Sequence, residues 1–313
     1  MRVVVTGATG FVGANLTLRL LADGHEVHIL TRAQAKFWRL QAILDQLGVH
    51  LVDLQDLSSV KGVIAAIRPN WVMHLAAYGA YSYQTDLHQM IHTNITATAN
   101  LLQACEATGF DVFINTGSSS EYGFKAHAPT EAELPEPNSY YAVTKTAATN
   151  LCNYTSYRLS VPITTLRLYS VYGPFEEPTR LMPTVLRNGA AGKYPPLVSP
   201  DTARDFVYID DVVDAYLAAA NLDLPLGAVY NIGSGSQTQL RDVVETVQKI
   251  CDIVQEPVWG TMEQRIWDTN SWVADIGRAR HELGWIPKYG LHAGLTRMYQ
   301  WLHHHLESYP LKT

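Results

Sequence analysis

Residues 1–21, MRVVVTGATGFVGANLTLRLL, decide the fold. Residues 3–5 form a valine run that is typical of a strand buried on both faces. Gly7, Gly10 and Gly13 follow at a spacing of three, and the apolar period then becomes helical. In such a turn the bare backbone can approach a pyrophosphate, because unpaired N–H groups and the helix dipole favour negative charge. Glycines can also serve simple turn chemistry, but this strand-to-helix setting favours dinucleotide binding.

The composition of the chain limits the classes of function that it can have. Its 313 residues, 47% of them apolar, can form one large α/β domain with a smaller lobe, or two domains. The net charge of −6 argues against a nucleic-acid partner, which would require a basic face. Three widely spaced cysteines in no metal-ligand pattern predict reduced core thiols and no metal site. A strand at the start and no apolar run of membrane-spanning length predict a cytoplasmic protein without a membrane partner.

Strand and helix patterns alternate through the first half of the chain. After the strand of residues 3–5, the predicted strands are 25–30, 49–51, 71–75, 111–115 and 163–168, and the predicted helices are 35–47, 56–67, 84–108 and 140–159. Such alternation implies right-handed βαβ crossovers and therefore an α/β, doubly wound parallel sheet of the Rossmann type. The chemistry should come from residues just after each strand, since ligands bind beyond the carboxyl ends of such strands. Asn94 is expected to be either a helix irregularity or a buried hydrogen-bonding hub.

The character of the sequence changes at about residue 169. Proline becomes frequent, and the helical and extended patterns become short and interleaved. We therefore expect a dinucleotide-binding domain over residues 1–168 and a smaller C-terminal α/β substrate lobe over residues 169–313. A segment near residues 205–232 is expected to return to the first domain, because 228–232 has a strand pattern. Amphipathic helices are predicted at 240–250 and 291–306.

Tyr141 and Lys145 form the second strong signal of the sequence. On a helix, positions i and i+4 lie on one face, one turn apart. A free tyrosine has a pKa of about 10, so a fixed cation that stabilises the phenolate favours proton transfer near neutral pH. Lowering that pKa by about three units requires roughly 4 kcal/mol of differential stabilisation. The pair is a weak pattern alone and becomes specific downstream of a dinucleotide turn, between strands five and six.

Further motifs recur in order with these two signals. They are Asp53-Leu54, the HLAA of residues 74–77, the TGSSSEYG of 116–123 and the RDFVYIDDV of 204–212. Together the motifs resemble the extended short-chain dehydrogenase/reductases, and within them the nucleotide-sugar epimerase/dehydratase/reductase family. The resemblance covers nearly the whole chain. It implies a Rossmann domain with a C-terminal lobe for a nucleotide-sugar substrate, and a homodimer formed through the two long helices.

The resemblance also implies roles for the residues near the reacting carbon. Tyr141 would be the acid/base, while Lys145 would hold the nicotinamide ribose and tune Tyr141. Ser118, four positions before the Tyr-Gly pair, would hydrogen-bond the reacting oxygen, with Ser119 as the runner-up. The alternative for either serine is a helix or turn cap.

On the cofactor side, the resemblance implies a binding role for the glycine turn and for residues after strands three and four. The matching positions are Gly7, Gly10, Phe11, Val12, Gly13, Asp53, Leu54, Ala76 and Ala77. Asp53 would accept from the adenine amino group, although an aspartate after a strand is also a common helix cap. His74 is expected to be a satisfied core histidine. Thr31 stands where NAD-specific relatives carry an acid, and Arg32 can bind a 2′-phosphate, so NADP is favoured over NAD.

On the substrate side, Arg204 is the candidate for the diphosphate, because a guanidinium matches phosphate oxygens through its fork geometry. Its alternative is an ion pair with Asp201 or Asp205. Arg180 is a candidate for the sugar pocket. Tyr78, Tyr81 and Tyr83 are further candidates, for which simple packing is an equal alternative. Ser170 stands where the family commonly has an asparagine that contacts the nucleotide sugar.

The departures from the family pattern narrow the reaction. Ser119 and Ser120 stand where dehydratases have an Asp-Glu pair, so elimination of water is not expected. No cysteine lies in this loop to support 3,5-epimerisation. The expectation is NADPH-dependent reduction of the 4-keto group of a nucleotide-linked 6-deoxy sugar, with a nucleotide-sugar 4-epimerase as the alternative. A cofactor-sensing protein without turnover is the third interpretation, disfavoured by the complete Ser-Tyr-Lys set.

Overall fold

The computed structural model describes residues 1–262, 271–305 and 309. Its strands in chain order are β1 (Arg2–Thr6), β2 (Glu26–Thr31), β3 (Gly48–Leu51), β4 (Trp71–His74), β5 (Val112–Ser118), β6 (Ile163–Leu168), β7 (Ser170–Tyr172), β8 (Ala203–Arg204), β9 (Phe206–Tyr208), β10 (Val229–Ile232) and β11 (Thr238–Gln239). Its α-helices are α1 (Phe11–Ala22), α2 (Leu57–Ile67), α3 (Leu87–Met90), α4 (Ala97–Thr108), α5 (Tyr140–Leu159), α6 (Leu181–Ala190), α7 (Ile209–Asn221), α8 (Leu240–Cys251), α9 (Gly277–Glu282) and α10 (Leu291–His305).

Seven strands form one parallel sheet in the order β10-β6-β5-β4-β1-β2-β3. The chain runs outward from β1 to β3, returns to β4 beside β1, and then runs outward in the opposite direction. This order is that of a doubly wound Rossmann sheet, and it confirms the predicted fold class. The carboxyl ends of β1 and β4 meet where the winding reverses, which is where such sheets bind ligands.

The valine run of β1 explains why this strand lies at the centre. Val3, Val4 and Val5 are all fully buried. Val3 and Val5 belong to the hydrophobic core on one face of the sheet, and Val4 belongs to the core on the other face. Successive side chains of a strand point to opposite faces, so an uninterrupted valine run fits only a strand that is covered on both.

Two predicted helices differ from the structure. Residues 35–47 are not a helix but a loop that ends in a 3₁₀ turn, Gln41–Gln46. The reason is tertiary, since Arg39 and Trp38 of this segment contact the distant residue Phe175. The predicted helix 84–108 begins at Leu87 and contains a π-helical turn, Ile91–Thr96, between α3 and α4.

The C-terminal half contributes both to the sheet and to a separate lobe. β10 lies within the segment 205–232 and pairs in parallel with β6, whereas a division at residues 168 and 169 remains a prediction. α7 packs against α1. Asp211 lies inside the first turn of α7 and does not cap the helix. Its carboxylate instead accepts hydrogen bonds from the backbone of Lys288 and Tyr289, at 2.8 and 3.1 Å.

Residues 1–262, 271–305 and 309 contain neither a membrane-spanning helix nor a cluster of metal-ligating side chains. None of the helices described there has the length and apolar character needed to cross a membrane. The same residues contain no group of three or more histidine, cysteine, aspartate or glutamate side chains placed to hold a metal ion.

Candidate active site

The glycine turn brings the backbone of β1, α1 and the loop after β4 into close contact. Gly7 has φ of +70°, a conformation that strains residues with a side chain. A Cβ on Gly7 would lie 2.6 Å from the carbonyl carbon of Leu75, and one on Gly13 would lie 2.2 Å from Gly7 O. α1 starts after Gly10, which has no side chain to cap it, and its first turn contains no acidic residue. These features fit a dinucleotide pyrophosphate.

His74 fixes the loop that follows β4. Its Nδ1 lies 2.7 Å from Thr6 Oγ1, which accepts from the N–H groups of Leu75 and Ala76 at 3.2 Å. Its Nε2 lies 2.9 Å from Thr98 Oγ1. Burial lowers the pKa of His74 to about 3, so the ring is neutral. His74 is therefore a core hydrogen-bonding residue, as expected, and it holds Ala76 beside the glycine turn.

Asp53 and Leu54 follow β3 at the same edge of the sheet. Asp53 is exposed and accepts from the backbone N–H of Gln55 at 3.0 Å. The helix cap of α2 is instead Asp56, which accepts from Ser58 N at 3.0 Å. The cap alternative for Asp53 is therefore wrong. Leu54 O accepts from Asn100 Nδ2 at 3.0 Å, which anchors this loop.

The end of β2 carries the residues from which NADP was inferred. Thr31 is buried at the end of the strand, and Arg32 follows as an exposed side chain. The Arg39 side chain of the following segment is only 8% exposed, and it donates to Thr9 O at 3.1 Å and pairs with Glu177 at 3.5 Å. Its guanidinium links the glycine turn to the loop after β7, so it does not serve the end of β2.

Ser118 and Tyr141 lie next to each other at the carboxyl end of β5. A hydrogen bond with Ser118 lowers the pKa of Tyr141, but burial outweighs it and raises that pKa to about 12. Ser118 Oγ also accepts from Ser120 N at 3.2 Å and thus caps the short 3₁₀ turn that follows. The capping and reacting interpretations of Ser118 are therefore compatible. Ser119 lines a small cavity together with Trp272.

Lys145 lies one helical turn after Tyr141 and is buried. Its ammonium donates to Thr116 O at the end of β5. Burial lowers the pKa of Lys145, and the carboxylate of Glu121 opposes this shift. Lys145 was expected to lower the pKa of Tyr141, but in the protein without a bound cofactor that pKa is raised. The physical reason is that the lysine hydrogen-bonds a backbone oxygen and burial dominates at the phenol.

Asn94 ties this region together from within the π-helical turn. It is buried, accepts from Tyr78 N at 2.9 Å and donates to Tyr78 O at 2.8 Å. It also donates to Thr144 Oγ1 at 2.9 Å. Both expectations for Asn94, an irregular helix position and a hydrogen-bonding hub, are observed.

Arg180 and Tyr81 lie near the reacting side chains. Arg180 begins α6, and its guanidinium carbon lies 5.7 Å from the ring centroid of Tyr81. Both residues influence the pKa of Tyr141, Arg180 by lowering it and Tyr81 by raising it. The ring of Tyr83 stacks on that of Tyr81 at 5.5 Å. Arg180 is thus brought to the reacting end of the site.

Arg204 lies in β8, farther along the lobe. It donates to Ala203 O at 2.7 Å and lies 5.8 Å from the ring centroid of Trp272. Asp201 and Asp205, the alternative partners expected for Arg204, bind other groups. Asp201 pairs with Arg241, and Asp205 accepts from the backbone at Ser234, Gly235 and Ala274.

Sequence reasoning gave no role to Glu121 and Arg167. Glu121 is fully buried, directly between β5 and α5, and its Oε2 accepts from Arg167 Nε at 3.0 Å. The available signals were a glutamate in the loop after strand five and an arginine inside an apolar strand. Neither signal indicates that the two side chains meet.

The chain is similar to known proteins over nearly its whole length. A family model described as the NAD dependent epimerase/dehydratase family matches residues 3–233. The UDP-glucose 4-epimerase of Mycolicibacterium smegmatis is 29% identical over 311 residues, covering 95% of this chain and 97% of that protein.

Two crystal structures extend the likeness to three dimensions. The UDP-glucose 4-epimerase of Thermotoga maritima with UDP-glucose has a TM-score of 0.89 at 26% identity, covering 98% of this chain and 100% of that one. The UDP-glucuronic acid 4-epimerase of Bacillus cereus with UDP-glucuronic acid and NAD has a TM-score of 0.86 at 27% identity, covering 97% and 99%. With its glycine turn and its Ser-Tyr-Lys set, this chain belongs to the NAD-dependent epimerase/dehydratase family of extended short-chain dehydrogenase/reductases, enzymes that use NAD(P).

Proposed function

We propose that this protein is an NAD-dependent 4-epimerase of a UDP-linked hexose. The observation that carries the proposal is the placement of Ser118 beside Tyr141, with Lys145 one helical turn away, at the edge where the glycine turn lies. The likeness over the whole chain to 4-epimerases of UDP-glucose and UDP-glucuronic acid supports the reaction and the nucleotide. This is the alternative left open by the sequence, and it has more support than the reduction first expected.

The side chains are suited to removing and returning a proton at one hydroxyl group. Tyr141 takes the proton of the C4 hydroxyl and later returns it, while Ser118 hydrogen-bonds the same oxygen. NAD, when bound, would supply the hydride acceptor and a positive charge. Lys145 holds the nicotinamide ribose, and it must turn from Thr116 O to do so.

Inversion at C4 requires that the hexose is bound loosely and that the rest of the nucleotide sugar is bound tightly. The ring must present its other face before the second transfer, so fixed contacts to the hexose would prevent turnover. Arg204 is proposed to hold the diphosphate, which places the binding energy far from the reacting carbon. Arg180 lies nearer Tyr141 and is proposed to face the sugar.

A second candidate is NADPH-dependent reduction of a nucleotide-linked 4-keto-6-deoxy sugar. The observation that favours it is the end of β2, where Thr31 is followed by the exposed Arg32 and no acid is present. An acid would repel a 2′-phosphate, whereas an arginine can bind one.

One experiment separates the two candidates. The purified protein is incubated with NAD and either UDP-glucose or UDP-glucuronic acid, and separately with NADPH and 4-keto-6-deoxy nucleotide sugars. If the proposal is right, UDP-glucose or UDP-glucuronic acid converts to its C4 epimer. The absorbance at the NADH wavelength shows no net change. Steady consumption of NADPH with a 4-keto sugar, and no interconversion of either UDP-hexose, would reject the epimerase and support the reductase.

We also propose a homodimer that forms through α5 and the helix running from α3 to α4. Val143, Tyr154 and Tyr157 are exposed on α5, at a spacing that places them along one side of the helix. Light scattering after size exclusion should give twice the chain mass of 34.8 kDa. Tyr154→Glu should yield the monomer mass, and a wild-type protein that elutes as a monomer would refute the dimer.

A further inference from the structure

Glu121 is a fully buried carboxylate between β5 and α5. Its Oε1 accepts from Ser118 N at 2.8 Å. Its Oε2 accepts from Arg167 Nε at 3.0 Å and from Thr149 Oγ1 at 3.0 Å. Burying a charge is costly unless it is paired and hydrogen-bonded, and these donors together satisfy both oxygens.

On the β5 side, this carboxylate fixes the backbone of Ser118. The bond from Ser118 N to Glu121 is one half of a capping box, and the bond from Ser120 N to Ser118 Oγ is the other half. The two bonds hold Ser118 at the end of β5, where its hydroxyl meets Tyr141. Movement of the Glu121 carboxylate would therefore move the Ser118 hydroxyl.

On the α5 side, the same carboxylate faces Lys145. Thr149 follows Lys145 by one helical turn, so the helix presents both side chains to Glu121. The negative charge of Glu121 raises the pKa of Lys145, against the lowering caused by burial. The same charge raises the pKa of Tyr141.

The neighbouring backbone leaves room for this arrangement. Gly117 pairs with Arg167 across β5 and β6. A Cβ on Gly117 would lie 2.8 Å from Glu121 Oε1 and 3.1 Å from the Cγ of Arg167. The glycine is therefore needed where the carboxylate and the guanidinium meet.

Arg167 pairs with Glu121 and adds a positive charge to this buried cluster, while the other titratable groups that act on Lys145 and Tyr141 supply no further negative charge near neutral pH. His74 and Cys152 face Lys145, and burial keeps both uncharged near neutral pH, with pKa values of about 3 and about 12. Arg180 and Tyr81 face Tyr141. Among the described residues, Glu121 is thus the carboxylate that acts on both Lys145 and Tyr141.

We propose that Glu121 is a positioning residue, which holds Ser118 against Tyr141 and serves, while paired with Arg167, as a buried counter-charge to Lys145. The proposal rests on the roles assigned to Ser118, Tyr141 and Lys145 in the proposed function. It goes beyond them because Glu121 touches neither the sugar nor the cofactor, and acts only through its neighbours.

Glu121→Gln tests the counter-charge, because it removes the charge and keeps the size. The dissociation constant of NAD is measured by calorimetry from pH 6 to 10, which needs no sugar substrate. The pH above which binding weakens, as Lys145 loses its proton, should fall by at least about half a unit, a shift typical of a lost charge pair. Both limbs of the kcat/KM profile for the UDP-hexose should move to lower pH, since the pKa values of Tyr141 and Lys145 fall together.

Two further variants separate charge from position. Glu121→Asp keeps the charge but is too short for the bond to Ser118 N, so kcat should fall about tenfold or more at unchanged pH limits. The KM of the UDP-hexose should change less than twofold. Glu282→Gln is the matched control, since Glu282 of α9 accepts from Arg278 Nε at 3.0 Å and from Tyr230 OH of β10 at 2.6 Å, at the edge of the sheet. It should leave the pH limits and kcat unchanged.

The outcomes distinguish this proposal from the proposed function. A Glu121→Gln protein with a lower Tm but with wild-type pH limits for NAD binding would overturn the counter-charge role. If that variant does not fold, Gly117→Ala, whose Cβ would displace Glu121 Oε1 from Ser118 N, should lower kcat about tenfold or more at unchanged pH limits, as Glu121→Asp does. A kcat within twofold of wild type in Gly117→Ala would overturn the proposal. Wild-type protein that binds NAD but converts no UDP-hexose would reject the epimerase, while the NAD titrations would still test Glu121.

Discussion

Asn94 donates a 2.9 Å hydrogen bond to Thr144 Oγ1, and Thr144 in turn donates to the backbone oxygen of Tyr141 at 2.9 Å. The bond joins the π-helical turn Ile91–Thr96 to the helix that carries the proposed acid/base. A π-turn inserts one extra residue per turn, which is often seen at functional sites. Here it lets a buried amide reach both the loop after β4 and α5.

Replacing Asn94 should therefore affect both stability and turnover. Asn94→Ala leaves Tyr78 N and the Thr144 hydroxyl without this partner, which should cost about 2 kcal/mol in the free energy of unfolding. We expect kcat to fall about tenfold or more, because Thr144, which donates to the backbone oxygen of Tyr141, is no longer held by Asn94. Urea unfolding and steady-state kinetics measure the two effects. Asn188→Ala, which removes only a bond to Thr184 O within α6, is the control and should change neither by much.

Tyr141→Phe should abolish turnover while leaving the fold and cofactor binding intact. Removing a general acid/base typically costs at least about 10²-fold in rate. The KM of the UDP-hexose should change little, since the phenol acts on the C4 hydroxyl during reaction. Activity within a few-fold of wild type would remove Tyr141 from the mechanism.

Gly7→Ala should prevent cofactor binding through a steric clash with the loop after β4. Its Cβ would lie 2.6 Å from Leu75 C, in addition to the strain of φ at +70°. Gly24→Ala is the matched control, because Gly24 has φ of +80° but no atom within 4 Å of its Cβ. The control should lose roughly 1 kcal/mol of stability and bind NAD normally. Equal NAD affinity of the two variants would show that the close contact at Gly7 is not needed.

Thr31→Asp tests the cofactor preference at the end of β2. A carboxylate there would repel the 2′-phosphate of NADP and accept from the ribose hydroxyls of NAD. The ratio of the two dissociation constants should move towards NAD by about tenfold or more, an effect of roughly 1.4 kcal/mol. Thr130→Asp, which introduces the same charge at an exposed threonine outside β2, serves as the control. An unchanged ratio in the Thr31 variant would mean that this position does not contact the adenosine ribose.

The buried neutral His74 predicts how stability depends on pH. Its pKa is about 3 in the folded protein and near the usual 6.5 in the unfolded chain, so below pH 6.5 the unfolded chain binds the additional proton. The stabilisation is therefore complete above pH 6.5 and is lost as the pH falls towards 3. The slope should be about 1.4 kcal/mol per pH unit between those limits. Subtracting the same urea-unfolding series for His74→Asn isolates this term, and parallel curves would contradict it.

Local patterns determined most of the fold and the reacting set. The valine run, the glycine spacing and the alternation of strand and helix patterns predicted the doubly wound sheet, because each depends on the periodicity of neighbouring residues. α5 was predicted at its observed bounds, Tyr140–Leu159. Tyr141 and Lys145 lie four residues apart on that helix, so their shared face follows from helical geometry alone.

Only the tertiary structure decided which distant residues meet. Residues 35–47 have a helical pattern but do not form an α-helix. Arg39 of this segment donates to Thr9 O and Phe175 O, which lie 30 and 136 residues away in the sequence. Glu121 and Arg167 are 46 residues apart and pair because β5 and β6 are neighbours in the sheet. A pattern in sequence reports the preference of a segment for one face or one period. It does not report which charges the fold brings together in a buried space, where unpaired charges are too costly to remain.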